Sequence, residues 1–339
     1  MKHILYVTPL ALFAVVVFFS PSRTTTYSFP YTPSEVRKSD DRVVSPVEAP
    51  AKKKVVMRAP APPLPIAEPA PTPTLIPVLA TEAPIDLRSA VVVKCVFRGA
   101  GGNSVTAYGS GVIVASEGYV LTARHVVDMA YTHRITGGKQ GLTDYSLEWC
   151  RIAVPPDGVK TPTAAEIRAI NPFTPVTEFA YDAQVVFVPP LPASGGMSEA
   201  EYDFADSALL RITSAVSGGL PSSFIASPMK IFQLPVQGEA VMSFGFPSGI
   251  PSYGNNFYLQ GNVGVIDAAV GGDSFFKNQP MGLTATMETI GGRSGSPVFW
   301  NGYVIGVVSS KGDYSRTAAI SGIFPLARFA EEAGIAVFK

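Results

Sequence analysis

Gly291-Gly292-Arg293-Ser294-Gly295-Ser296-Pro297-Val298-Phe299 is the stretch on which the reading of this chain turns. Glycines bracket a serine, and an apolar, β-prone run follows the proline. A serine hydroxyl is a weak nucleophile until a base lies within hydrogen-bond reach. The flanking glycines let the backbone turn sharply and bring its N–H groups close to a reacting atom. The amides of Gly292 and Ser294 can then converge on one point, the arrangement that holds an oxyanion. Taken alone, the same residues also read as a polar hairpin turn. The two readings separate on whether the rest of the chain supplies a base and an acid.

Both lie upstream. Tyr119-Val120-Leu121-Thr122-Ala123-Arg124-His125-Val126-Val127 reads as a strand running into a turn that carries a histidine. Asp206-Ser207-Ala208-Leu209-Leu210-Arg211-Ile212 is an acid followed at once by an apolar strand. Histidine, aspartate and serine in that chain order supply the base, orienting acid and nucleophile of a known serine triad. Of the three histidines, His3 belongs to the N-terminal segment and His133 has no motif around it. Asp128 follows His125 too closely to bring its carboxylate round to the far ring nitrogen, so it reads as a capping or solvent-facing group. Asp203 is the rival acid and Ser296 the rival nucleophile.

Thr122-Ala123-Arg124-His125, Asp206-Ser207-Ala208-Leu209-Leu210 and Gly292-Arg293-Ser294-Gly295-Ser296-Pro297, in that order, resemble the trypsin-like serine peptidases. Gly238-Glu239-Ala240-Val241, Phe244-Gly245-Phe246-Pro247 and Gly302-Tyr303-Val304-Ile305-Gly306-Val307-Val308 are similar to segments of the bacterial HtrA/Deg and glutamyl-endopeptidase branches. The resemblance runs from about Ala90 to Ala333. It implies an all-β, chymotrypsin-like fold of two six-stranded antiparallel β-barrels with a short C-terminal helix. It also implies a serine endopeptidase acting on protein or peptide substrates through an acyl-enzyme, without metal or organic cofactor. His125 would be the general base, Asp206 its orienting acid, Ser294 the nucleophile, and the Gly292 and Ser294 amides the oxyanion hole.

The family pattern favours Asp206 over Asp203, because the acid stands directly before the Ser-Ala-Leu-Leu strand. It favours Ser294 over Ser296, because the first serine of Ser-Gly-Ser-Pro is the catalytic one in the glutamyl-endopeptidase branch. An α/β-hydrolase nucleophile elbow fits poorly, since it needs glycine where Ser296 stands and puts serine first in chain order. Glu288, six residues before Ser294, falls where trypsin carries the acid of its specificity pocket. With Ser309 and Lys311 it forms the expected substrate pocket, beside the plainer reading of Glu288 as an exposed loop residue. Val308 stands where the glutamyl-specific branch has a histidine, which argues against that specificity. Arg293 replaces the acid that pairs with a freshly cut N-terminus in animal digestive relatives, so activity is expected without such a cut. The rival reading is a catalytically silent head that binds peptides or associates with a cell wall.

Composition agrees with a turn-rich β protein: Gly and Pro each number 31 and charged residues are only 15% of 339. Lysine plus arginine equals aspartate plus glutamate at 26 each, which leaves no basic excess to serve a nucleic acid. Cys95 and Cys150 can form one bridge or remain two buried thiols.

Residues 1–22 hold an apolar run from Ile4 to Phe19 behind Lys2 and His3, which fits a cleaved signal peptide or a short signal anchor. Either would place the protein outside the cytoplasm, secreted, periplasmic or attached to the membrane. Residues 23–84 are rich in Pro and Ala, as in Ala59-Pro60-Ala61-Pro62-Pro63, and read as a disordered tether. The peptidase-like domain is expected over 85–339, with a first barrel at about 85–212 and a second at about 236–323. Strands are expected at Val91–Phe97, Ala107–Ala115, Tyr119–Ala123, a buried Val185–Val188, Glu239–Phe244, Phe257–Val265, Thr284–Met287 and Gly302–Ser309. A capping box at Thr163–Glu166 predicts a short helix inside a long insertion between His125 and Asp206. The pattern of Leu326, Phe329 and Ala330 predicts a closing helix over Pro325–Gly334, with no peptide-binding domain expected after it.

Overall fold

A computed structural model describes residues 24–26, 85–135, 143–156, 175–176, 178–189, 201, 204–248, 256–272, 279–287, 289, 291–311 and 317–338. The apolar N-terminal run, nearly all of the Pro-rich segment, the Thr163–Glu166 capping box, Asp203 and Glu288 lie outside these residues.

β1 (Thr24–Thr26) is a three-residue strand of β-branched threonines within the stretch read as a tether. It pairs in parallel with the start of the long strand Ser104–Ala115. The first barrel is built from β2 (Ala90–Gly99), β3 (Ser104–Ala115), β4 (Tyr119–Thr122), β5 (Tyr145–Ala153), β7 (Tyr181–Phe187) and β8 (Ala208–Ala215). The strand order β3-β2-β5-β7-β8-β4 closes through β3 and β4, and every one of these pairings is antiparallel. Two short helices, α1 (Arg124–Val127) and α2 (Met129–Ile135), follow β4. The two-residue β6 (Pro175–Val176) belongs to the insertion.

β2 shows why its first part, Ala90–Val93, is an apolar run with no polar alternation. Val91, Val93, Cys95 and Phe97 fill the barrel interior, while Val92 on the opposite face packs into the core shared with the second barrel. A strand buried on both faces needs apolar residues at every position. Cys95 and Cys150 lie opposite each other on β2 and β5 and form a disulfide inside the barrel.

The second barrel comprises β9 (Ala240–Gly245), β11 (Gln260–Gly271), β12 (Pro280–Thr286), β13 (Pro297–Trp300), β14 (Tyr303–Lys311) and β15 (Thr317–Gly322), closed in the order β11-β12-β15-β14-β13-β9. Val241, Leu283, Val298 and Ile320 are among its interior residues. β10 (Phe257–Tyr258) lies outside the barrel and pairs with β6. The fold is therefore the all-β pair of closed, six-stranded antiparallel barrels that the family resemblance implies. Val112, Leu121 and Leu209 of the first barrel meet Phe244, Phe299 and Val307 of the second in one buried cluster. Burial of each such side chain contributes about 1.5–3 kcal/mol.

Two differences from expectation, in β7 and in the closing helix, have local causes. Val185–Val188, expected to be buried, are all half-buried, and β7 ends at Phe187; Val185 and Val186 border an open groove of about 540 Å³. The segment joining the barrels is tied to both, through Ser227 N–H to Ile113 O at 2.9 Å and Lys230 N–H to Val304 O at 2.9 Å. The closing helix α3 (Ile323–Glu332) starts two residues before Pro325. Proline is tolerated there because N–H groups in the first turn have no intrahelical acceptor. Leu326, Phe329 and Ala330 are its buried face, and the turn after it ends at Gly334 with φ +79°.

Candidate active site

β4 delivers the histidine. Its last residue, Thr122, donates to Ser110 O at 2.6 Å, and the chain then turns into α1, whose second residue is His125. β8 delivers the acid: Asp206 stands two residues before the strand begins. Both side chains are buried, with His125 4% and Asp206 1% exposed. Asp206 Oδ1 accepts the His125 backbone N–H at 2.9 Å, and Oδ2 faces His125 Nδ1 at 2.6 Å. A carboxylate only accepts hydrogen bonds, so Nδ1 is the donor in this pair. Ser309 Oγ donates to the same Oδ2 at 2.6 Å. Three donors thus satisfy an acid that burial would otherwise penalise.

The glycine-bounded loop is held from both barrels. Ser110 N–H, from β3, donates to Ser294 O at 2.7 Å, and Ser110 Oγ donates to Gly292 O at 3.0 Å. Gly295 N–H donates to Val308 O of β14 at 2.7 Å. Gly292 has φ +86° and Gly295 φ +83°, backbone that L side chains rarely adopt. A Cβ on Gly295 would lie 2.4 Å from Thr122 Oγ1 and 2.8 Å from Ala123 N, so the loop packs directly on the turn that carries His125. Among the described residues, no backbone acceptor takes the N–H of Gly292 or Ser294.

Of the two serines in the loop, Ser294 is half-buried and Ser296 is 0% exposed. Ser296 Oγ is enclosed against Gly245 and has no hydrogen-bond partner among the described residues. Of the two, only Ser294 has exposed surface. Arg293 is 2% exposed and donates to Ser243 O at 3.0 Å.

The expected substrate-pocket residues divide. Ser309 sits against the carboxylate of Asp206, Lys311 ends β14, and Glu288 falls outside the described residues. Asp128 takes the capping role, accepting Tyr131 N–H at 3.0 Å and pairing with Arg124 at 2.9 Å. Sequence reasoning missed the part played by Ser110, whose hydroxyl also accepts Phe246 N–H at 2.8 Å and so links three chain segments beneath the loop. Its only signal was a serine between two glycines on β3, where small residues permit close approach. Among the described residues no group of His, Cys, Asp or Glu side chains could hold a metal ion.

A family profile described as Trypsin-like peptidase domain matches residues 109–307, more than half of the chain. No curated protein matches. Among solved structures, the crystal structure of Deg5 is similar with a TM-score of 0.41 and 14% sequence identity, over 72% of this chain and 87% of that one.

Proposed function

The chain belongs to the trypsin-like peptidase family, and on that premise we propose that it is a serine endopeptidase working outside the cytoplasm through His125, Asp206 and Ser294. The observation that carries this reading is the buried Asp206–His125 pair at 2.6 Å beside a loop whose only reachable hydroxyl is Ser294.

Ser294 Oγ attacks the carbonyl carbon of a peptide bond while His125 Nε2 takes its proton. The carbonyl oxygen becomes an oxyanion held by the Gly292 and Ser294 amides. The C–N bond then breaks, and His125 returns the proton to the leaving amine. Water attacks the acyl-ester, giving its proton to His125, and Ser294 recovers that proton as the acid product departs. Asp206 holds the imidazole in the required tautomer and stabilises the imidazolium in both halves. The buried Arg293 guanidinium, anchored on Ser243 O, supports activity that needs no newly cut N-terminus. The apolar run Ile4–Phe19 and the Cys95–Cys150 disulfide support the extracytoplasmic placement. Glu288 and Lys311 are retained as pocket residues, and Ser309 is reassigned to the support of Asp206.

The test is labelling of the full-length, uncut chain with a fluorophosphonate probe, beside Ser294→Ala, His125→Ala and Ser296→Ala. Labelling that survives in Ser296→Ala and is lost in the other two is the expected result. A folded wild-type chain that takes no label would point to the silent, peptide-binding reading.

A further inference from the structure

On β3, Ser110 touches the nucleophile loop twice, and Tyr108 is the next residue on the same strand face. Successive residues on one face of a strand lie about 6.8 Å apart, the span of two residues of an extended peptide. β4 pairs only with Gly111–Ala115 and β1 only with Ser104–Thr106, so neither strand pairs with β3 at Tyr108. Lys94 stands opposite Tyr108 on β2, and Arg151 stands opposite Lys94 on β5.

Two aromatic rings from elsewhere in the chain close on Tyr108. Phe257 of β10 lies 5.2 Å from it, ring centre to ring centre, and Phe179, from the insertion, lies 6.4 Å away. Phe179 and Phe257 meet edge to face at 5.8 Å. The pairing of β6 with β10 joins the insertion to the segment just before β11 of the second barrel, with Val176 opposite Phe257. All three rings are half-buried. The Lys94 ammonium lies 5.7 Å from the Tyr108 ring and 5.4 Å from the rings of Phe179 and Trp149. Among the described residues it has no hydrogen bond or ion pair, and burial, with Arg151 nearby, pulls its pKa below the ordinary lysine value.

From this arrangement we infer that the insertion builds a second specificity subsite, which selects a bulky aromatic side chain and rejects a basic one on the leaving-group side of the cut bond. The inference rests on the reading of Ser294 as nucleophile. The proposed acyl-side pocket lies along β14, which grips the loop through Gly295 N–H. Tyr108 lies on the opposite side, where β3 grips it through Ser294 O. The subsite therefore reads about the second residue beyond the cut. Half-exposed ring faces and edges offer an aromatic side chain stacked and edge-to-face contacts. A lysine or arginine entering the same place meets the unpaired Lys94 ammonium, since Arg151 behind it is already paired with Asp182 at 2.9 Å, and gives up its hydration, a penalty directed against the wrong substrate.

The test digests a peptide library of random sequence with the full-length chain and aligns the products on their cut sites. Phe179→Ala, Phe179→Leu and Lys94→Met are run alongside. At the second residue beyond the cut, aromatic side chains should be enriched and basic ones depleted, each roughly tenfold. Phe179→Ala should flatten the aromatic enrichment, with Phe179→Leu serving if the alanine variant does not fold. Lys94→Met should lift the depletion of basic residues. Preferences before the cut are the internal control. A wild-type profile with no preference at that position, or one unchanged in these variants, would overturn the inference. If the wild type neither labels with fluorophosphonate nor cuts, the same library is selected for binding. Retention of aromatic peptides that fails in the Phe179 variants would then keep the subsite while the peptidase reading falls, and binding without aromatic selection would sink both.

Discussion

Ser309 donates to Asp206 Oδ2 at 2.6 Å, the same oxygen that faces His125 Nδ1. The buried acid is therefore positioned from two sides, by β14 of the second barrel and by the histidine turn of the first. Removing one hydrogen bond to a charged group costs about 1.5–3 kcal/mol. Ser309→Ala should slow fluorophosphonate labelling of Ser294 by roughly ten- to hundredfold, with Ser309→Thr recovering part of the rate. Labelling at the wild-type rate in Ser309→Ala would mean that the bond does not tune the histidine.

Gly292 combines φ +86° with a Cβ position 2.2 Å from Ser248 N, which is itself bonded to Gly291 O. Gly292→Ala cannot keep the loop as it stands. Labelling should fall at least about a hundredfold, the scale of losing one oxyanion donor, while circular dichroism still reports the β fold. Normal labelling in this variant would remove the Gly292 amide from the mechanism.

Ser296 buries a hydroxyl without a hydrogen-bond partner among the described residues. An unpaired buried polar group costs about 1–3 kcal/mol. Ser296→Ala should therefore leave thermal stability unchanged or raise it. A marked drop in Tm would show that the hydroxyl is engaged after all.

The disulfide joins residues 55 positions apart in the chain. Closing a loop of that length restricts the unfolded chain by about 4 kcal/mol in the chain-entropy account. Both sulfurs are buried, with Cys95 0% and Cys150 1% exposed. The paired Cys95→Ala, Cys150→Ala variant should lose several degrees of Tm, whereas a reductant should act on the native protein only as fast as the barrel opens. Rapid reduction without unfolding would contradict the buried placement.

Arg88 holds the Asp86 carboxyl below its ordinary value of 3.8, chiefly through side-chain hydrogen bonds. A lowered folded-state pKa makes this contribution complete above the unfolded value and lost as pH falls through the folded one. The two side chains are 40% and 34% exposed, so the effect is under about 1 kcal/mol. The acid-side fall in Tm below about pH 4 should be slightly shallower in Asp86→Asn. Identical pH curves for the two proteins would show that the pair adds nothing to stability.

Much of the fold was legible where burial leaves a regular trace. Val91-Val92-Val93 announces a strand covered on both faces, and β3, β4, β9 and α3 follow from similar local patterns. β5 was missed because its first half, through Ser146, Leu147 and Glu148, faces solvent and carries no apolar alternation. β15 was missed because Thr317-Ala318-Ala319 are small residues with little strand signature. The two cysteines could not be assigned until β2 and β5 set them opposite each other.

The chain's own letters were sufficient for whatever depends on a few neighbouring residues: the glycine-bounded serine loop, the histidine at the end of a strand, the all-β class. Contacts between distant positions were a different matter. His125 and Asp206 are separated by 81 residues, Ser309 and Asp206 by 103, and Ser110 and Gly292 by 182. Whether a given serine keeps exposed surface, like Ser294, or lies sealed against Gly245, like Ser296, depends on how two closed barrels pack, and no local spacing encodes that packing.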